Sequence, residues 1–253
     1  HPQTSLLCLE NTHNAAGGTC LSLEQTEALA AKARSLGLKV HLDGARIFNA
    51  SVALGVAARE LAAPADSSTV CLTKGLGCPV GALVMGGTAF VEEARHWRQA
   101  AGGGMRQAGV VAAAGIVALD TMVERLAEDH VNARRLALLL AEAGLVLDPP
   151  AEEVETNILF AEIPAALMDA ALFVERLAQE GVRVNPPRGR RIRLVTLDGA
   201  YRAVDLPIVV LLAAMLPVGE ALETTGGADL IAERIVALGA VASPAVLVAG
   251  IMT

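Results

Sequence analysis

The chain has 253 residues, 53% of them apolar and only 2% aromatic, so Leu, Val and Ala must fill its interior. That composition supports a large buried core and excludes a disordered chain. A formal net charge of −7 without a basic run argues against a nucleic-acid or anionic-membrane partner, so a small anionic ligand would need locally placed arginines.

Leu6-Leu-Cys-Leu9 predicts a short strand, and the polar string Glu10-Asn-Thr-His13-Asn14 suits a loop at its end. Ser22 and Gln25 form a capping-box pattern. Leu23, Thr26, Ala30 and Ala33 then keep helical spacing up to Gly37, a natural C-terminal cap. The next strand, Leu38 to Leu42, runs into Asp43-Gly-Ala-Arg46, so a carboxylate and a guanidinium leave the sheet close together. A helix over Asn49 to Ala62 and a strand over Thr69 to Thr73 lead to Lys74, which stands on the loop Lys74-Gly-Leu-Gly before a further strand, Val80 to Met85.

A helix over Ala89 to Ala100 breaks at Gly102-Gly-Gly104, and helices follow at about Arg106 to Arg125 and Glu128 to Ala143. Gly144 and Asp148-Pro-Pro150 mark a boundary. Beyond it, strands are expected over 156–163, 182–185 and 191–196, around a helix over 165–179. The alternation of strands and helices predicts an α/β domain with largely parallel strands over 1–146, whose ligands bind outside the strand ends. A smaller α+β domain is expected over 147–253.

Cys8, Cys20, Cys71 and Cys78 lack C-x-x-C spacing and read as reduced thiols of a cytoplasmic protein. No signal peptide is legible, and Leu206 to Val218 is too short and too interrupted by proline to span a bilayer. The chain starts at His1 and its first methionine is Met85, which reads as a fragment or a processed chain.

An amine, an acid and a fixed cation leaving neighbouring strands suit pyridoxal 5'-phosphate. Lys74 can condense with the aldehyde, and Asp43 can hold a proton on the ring nitrogen. Each residue also has a plainer reading: a solvated lysine, a turn or helix cap at Asp43, a surface ion pair at Arg46. Arg106 follows three glycines and opens a helix, where backbone amides and a guanidinium can hold a phosphate. Strand alternation puts Arg191 and Arg193 on one face, either to grip a carboxylate or to deter edge pairing. His13 lies in the first polar loop. His41 reads as a packed strand residue and His96 and His130 as helix-surface residues, so no metal site is expected.

Several strings in this order carry a resemblance: Leu9-Glu-Asn-Thr-His13-Asn14, His41-Leu-Asp43-Gly-Ala-Arg46-Ile-Phe-Asn49, Leu72-Thr-Lys74-Gly-Leu-Gly-Cys-Pro-Val-Gly81, Gly102-Gly-Gly-Met-Arg106-Gln107 and Ile192-Arg193-Leu-Val-Thr196. Together they resemble the low-specificity threonine aldolases of the β-eliminating lyase group, from the first residue to about Asp198. The tail after about residue 199 diverges. Gln99, where relatives commonly have lysine, and Leu197, where histidine is frequent, depart from the pattern.

The resemblance implies the large domain of the aspartate-aminotransferase-type, pyridoxal-phosphate-dependent fold, N-terminally truncated because the phosphate loop and the ring that stacks on the cofactor precede His1. It implies cleavage of threonine or allo-threonine to glycine and acetaldehyde by retro-aldol chemistry. Lys74, Asp43 and His13 would be catalytic, and Arg46 and Arg106 would join Lys74 and Asp43 at the cofactor. His13 would also face the substrate's β-substituent and Arg193 would clamp its carboxylate, within a homo-oligomer arranged as a dimer of dimers. A truncated, non-catalytic subunit and another amino-acid lyase of the same fold remain the alternatives.

Overall fold

Alternating buried and exposed positions build the first layer. The computed structural model describes residues 3–180, 182, 184 and 186–197. Strand β1 (Leu6–Glu10), helix α1 (Leu23–Ser35) and strand β2 (Lys39–Asp43) form its first unit. Helix α1 starts at the expected capping box: Ser22 Oγ accepts from Gln25 N at 3.2 Å, and Gln25 Oε1 accepts from Ser22 N at 2.9 Å. Its Ala30 and Ala33 belong to one buried cluster with Leu9, Val40 and Leu42, small side chains that let the helix lie close to the sheet.

Helices α2 (Ile47–Leu54) and α3 (Ala58–Ala62) carry the chain to β3 (Ser67–Cys71). The single helix expected over Asn49 to Ala62 is broken at Gly55, whose φ of 65° makes a left-handed cap. Strands β1, β2 and β3 are parallel, with Glu10 opposite Asp43 and Asp43 opposite Thr69. Strand β4 (Ala82–Gly86) runs antiparallel to β3, since residues 72–81 turn the chain back without a helical crossover.

Helices α4 (Thr88–Ala100), α5 (Gly109–Thr121) and α6 (Leu126–Glu142) follow. A second sheet, all antiparallel, has the order β5 (Val146–Asp148), β6 (Ile158–Glu162), β7 (Arg191–Val195), with α7 (Ala170–Gln179) between its last two strands. Strand β5 has only three residues and was hidden in the sequence by the prolines that end it. The strand expected over 182–185 falls partly outside the described residues, and Val182 and Val184 have no strand pairing. The tail from about 199, including Leu206 to Val218, also lies outside them.

One helix serves both sheets. Ala133 and Ala137 of α6 pack with Leu159 of β6, while Leu126 at its start is buried with residues of the loop after β3. A buried polar chain reinforces this join: Asn49 Nδ2 faces His130 Nε2 at 3.1 Å and donates to Asn157 Oδ1 at 3.3 Å. Asn157 Nδ2 donates to the Thr196 carbonyl at 3.0 Å, and the Thr196 hydroxyl donates to the Asp129 carbonyl at 2.6 Å.

His130, expected on a helix surface, is therefore a buried member of this chain, only 7% exposed. Burial, and then the nearby Arg134 charge, push its pKa down to about 4. With Nε2 facing an amide N–H, the ring accepts there and carries its proton on Nδ1.

A pH dependence follows. The unfolded state binds a proton at His130 below about 6.5 while the folded state resists it until about 4, so this contribution is complete above 6.5 and lost as pH falls toward 4. Denaturant unfolding of wild type and His130→Gln, compared across that window, should show the wild type losing roughly 1–3 kcal/mol more than the variant. Parallel pH profiles would contradict this.

Candidate active site

The parallel register gathers polar groups at one edge of the first sheet. Asp43 ends β2, is exposed, and accepts at Oδ1 from Ala45 N at 3.0 Å, which closes the turn toward Arg46. Gly44 N donates to the Thr69 carbonyl of β3 at 2.9 Å and ties that turn to the neighbouring strand. Opposite Asp43, Glu10 accepts at Oε1 from Asn14 N at 3.1 Å, and its Oε2 lies 3.6 Å from His13 Nε2. A cleft of about 600 Å³ opens here, lined in part by Glu10, His13, Thr19, Leu21 and Asp43.

Lys74 stands on the loop that joins β3 to β4. Leu72 N donates to the Gly81 carbonyl, Cys78 N to the Leu72 carbonyl and Gly77 N to the Lys74 carbonyl, so the loop is closed on itself. Leu72, Leu76 and Cys78 sink into the core with Ala118, Met122 and Leu126, leaving Lys74 half-buried between two anchored leucines. The glycine after it is a packing requirement: a Cβ on Gly75 would come 2.5 Å from Leu126 Cδ2. The chain's other lysines lie elsewhere. Lys39 is paired with Asp66 at 3.7 Å, and Lys32 sits in the last turn of α1.

The second sheet contributes one guanidinium. Arg190 donates to the Ile163 and Met168 carbonyls, and Arg191 pairs with Asp148 at 2.6 Å and stacks 3.9 Å above the Phe160 ring. Both are structural. Arg193 instead reaches across to the first loop and donates from Nη2 to Asn14 Oδ1 at 2.7 Å, while its buried Nε has no protein partner. Burial lowers its pKa.

Arg46 is close enough to sense these groups. Burial first, and then the Arg193 charge, lower its pKa, while Glu10, Cys71 and Asp43 pull it back up. Two guanidiniums that oppose each other form a place where an anion is favoured, although the cleft itself is lined by Glu10, His13 and Asp43 and by neither arginine.

The structure thus brings Asp43, Arg46, His13 and Arg193 into one group, with Lys74 on the loop after the neighbouring strand β3. Arg106 is exposed in the turn before α5, and its described contacts include none of these residues. Glu10 and Asn14 join the site beside His13, the member of that loop the sequence points to. Their signal was the polar string itself, dense in hydrogen-bonding side chains directly after a strand. Among the described residues, no three His, Cys, Asp or Glu side chains gather as a metal-binding set, and no helix is long and apolar enough to cross a membrane.

The sequence profile of the beta-eliminating lyase family matches residues 1–164. The chain is 44% identical over 197 residues to low-specificity L-threonine aldolase 1 of Arabidopsis thaliana, a match covering 77% of this chain and 54% of that protein. It therefore spans about half the length of that relative. Among solved structures, Leishmania major threonine aldolase superposes with a TM-score of 0.58 at 20% identity, covering 80% of this chain and 60% of the other. A PLP-dependent aminotransferase from Streptococcus suis superposes with a TM-score of 0.60 at 18% identity, covering 80% and 56%. At these identities the structures establish the shared fold.

The loop that carries His13 and Asn14 depends on Gly18, which has φ of 74° and whose carbonyl accepts from Thr156 Oγ1 at 2.7 Å. A Cβ there would collide with that hydroxyl. Gly18→Ala should lower unfolding free energy by roughly 2 kcal/mol, combining left-handed backbone strain with a lost buried hydrogen bond. Chemical denaturation measures it, and wild-type stability would show that the loop does not rely on this contact.

Proposed function

The chain belongs to the beta-eliminating lyase family, and from that premise we propose that its protein is a pyridoxal-phosphate-dependent aldehyde lyase, cleaving threonine or allo-threonine to glycine and acetaldehyde. The observation that carries this reading is the 2.7 Å contact between Arg193 and Asn14. It brings a guanidinium of the second sheet to the loop after β1, close enough to oppose Arg46.

The residues present fit the cofactor. Asp43 offers an exposed carboxylate for the ring nitrogen, Lys74 an amine for the aldehyde, and the partnerless Arg193 Nε a donor for a carboxylate. When bound, pyridoxal 5'-phosphate supplies a carbonyl carbon for that amine and a ring that takes up the electron pair of the bond broken at the substrate's Cα.

The protein's own groups divide the remaining work. Arg193 holds the substrate's carboxylate, whose negative charge relieves the repulsion between Arg193 and Arg46 beside the cofactor. Asp43 holds a proton at the ring nitrogen. His13, oriented by Glu10, takes the proton of the β-hydroxyl as Cα and Cβ part, and a proton is restored at Cα to give glycine. A side pocket that distinguishes substrates by one methylene gains only about 1–3 kcal/mol, so broad aldehyde tolerance belongs to the proposal.

The same reading divides the chain into a cofactor-binding domain over 1–146 and a small domain over 147–253, supported by two sheets that share no strand. It places the protein in the cytoplasm, in keeping with four free cysteines, as a homo-oligomer arranged as a dimer of dimers. Support for assembly comes from large apolar side chains exposed in and around α4 and α5, among them Trp97, Met105, Val110, Ile116 and Val117. Exposed Arg106 would there serve a phosphate in a neighbouring subunit's site.

A second reading, a subunit that binds its own kind without turnover, draws on the same exposed apolar side chains around α4 and α5. Titrating the purified chain with pyridoxal phosphate and following the cofactor absorbance band and aldehyde release from threonine separates the two. A band with aldehyde release supports the lyase, and neither supports the inert subunit.

Borohydride reduction of the loaded chain and peptide mapping should place the pyridoxyl group on Lys74, with label on Lys32 or Lys39 overturning the assignment. Arg193→Lys keeps the charge and loses the planar fork, so KM for threonine should rise roughly tenfold or more with the cofactor band retained. A lost band at unchanged KM would assign Arg193 to the cofactor's phosphate instead.

A further inference from the structure

We propose that Asn14 is the positioning residue of the carboxylate clamp, a neutral side chain that fixes the Arg193 guanidinium without neutralising it. This rests on the reading of Arg193 as the group that takes the ligand's carboxylate. An arginine can only donate, so the 2.7 Å contact requires the amide oxygen of Asn14 to face Nη2.

That oxygen is held rigidly. Asn11, 1% exposed, closes the base of the loop by donating from Nδ2 to the Leu21 carbonyl at 2.9 Å and accepting at Oδ1 from Leu21 N at 3.2 Å. His13 and Thr19 bridge above it, with His13 N donating to the Thr19 carbonyl at 2.9 Å. Glu10 accepts from the Asn14 backbone N–H, and Thr156 donates to the Gly18 carbonyl. The loop is thereby tied to β1 and to the segment leading into β6, and Asn14 is a fixed acceptor through which Arg193 is aimed.

Neutrality is the second half of the argument. Arg191, two residues away on the same strand, has a carboxylate partner in Asp148 and a ring beneath it, so its charge is already answered. Arg193 has only an amide. Its charge still opposes Arg46, and its buried Nε lacks an acceptor. A carboxylate arriving from solution satisfies both at once. An aspartate at position 14 would supply that carboxylate internally and compete with the ligand, whereas an alanine would merely release the guanidinium.

The test uses the full chain and acetate, a carboxylate with no amine, so that no turnover is needed. Acetate is titrated into wild type, Asn14→Ala and Asn14→Asp, and the Arg193 Nε–H resonance is followed by NMR, its assignment fixed by its loss in Arg193→Lys. The dissociation constant should rise roughly tenfold in Asn14→Ala and further in Asn14→Asp, as expected for a hydrogen bond to a charged group. In a double-mutant cycle read by KM for threonine on the loaded chain, Asn14→Asp should add little to Arg193→Lys, because the two act as a unit.

Variants that bind acetate as tightly as wild type, or losses that simply add in the cycle, overturn the proposal. So does an affinity loss no larger in Asn14→Asp than in Asn14→Ala. A wild-type resonance that acetate does not move overturns the clamp reading itself. That result is distinct from failure of Asn14's part, in which wild type binds acetate and the variants bind it equally well.

Discussion

A buried amide holds the two sheets in one arrangement. Asn157, 1% exposed, accepts from Asn49 of α2 and donates to the Thr196 carbonyl just past β7. A buried polar group without its partner costs about 1–3 kcal/mol, so each of these contacts penalises any shift of one sheet against the other. Thr196 and Asp129 extend the restraint to α6, where Asp129 also accepts both contacts from Arg125 Nη2 at 3.1 Å. Arg193 lies three residues before Thr196, so its reach toward the first loop depends on this join.

Within the run Arg190 to Arg193, three arginines share one composition and have separate fates. Arg190 caps carbonyls of the segment after β6, and Arg191 is answered by Asp148 and Phe160. Their charges are spent on the fold of the second sheet. Arg193 alone of the three meets a residue of the first layer, and the partner it meets is neutral. What separates a structural arginine from a ligand-binding one here is the charge of its neighbour.

The lysine loop shows a similar division between anchoring and presentation. Leu72 and Leu76 are each 4% exposed, while Thr73 between them is exposed and Lys74 is half-buried. Between them Lys74 is held in place by its neighbours and by the loop's own backbone bonds, with no salt bridge of its own described. An amine left unpaired in this way is available to condense with an aldehyde, which a lysine tied to a carboxylate is not. Gly75 and Gly44 serve the same end by letting backbone approach Leu126 and the Thr69 carbonyl.

Local chemistry was legible from the sequence alone wherever a structural rule acts over a few residues. The capping box at Ser22, the turn Asp43-Gly-Ala-Arg46 and the glycine after Lys74 each announce themselves, because caps, turns and close approaches select residue types by short-range sterics and hydrogen bonding. The ordered motifs gave the family by the same token. The break at Gly55, the three-residue strand β5 and the burial of His130 did not show, since a histidine on a helix looks alike whether Asn49 or water faces it. The strand-ending acid, the looped lysine and the arginine-bearing strand follow from residue order alone. That Arg193, rather than Arg190 or Arg191, meets Asn14 and opposes Arg46 is visible in the folded chain alone, because contacts across 179 residues are set by how the two sheets pack, and that packing leaves no local mark.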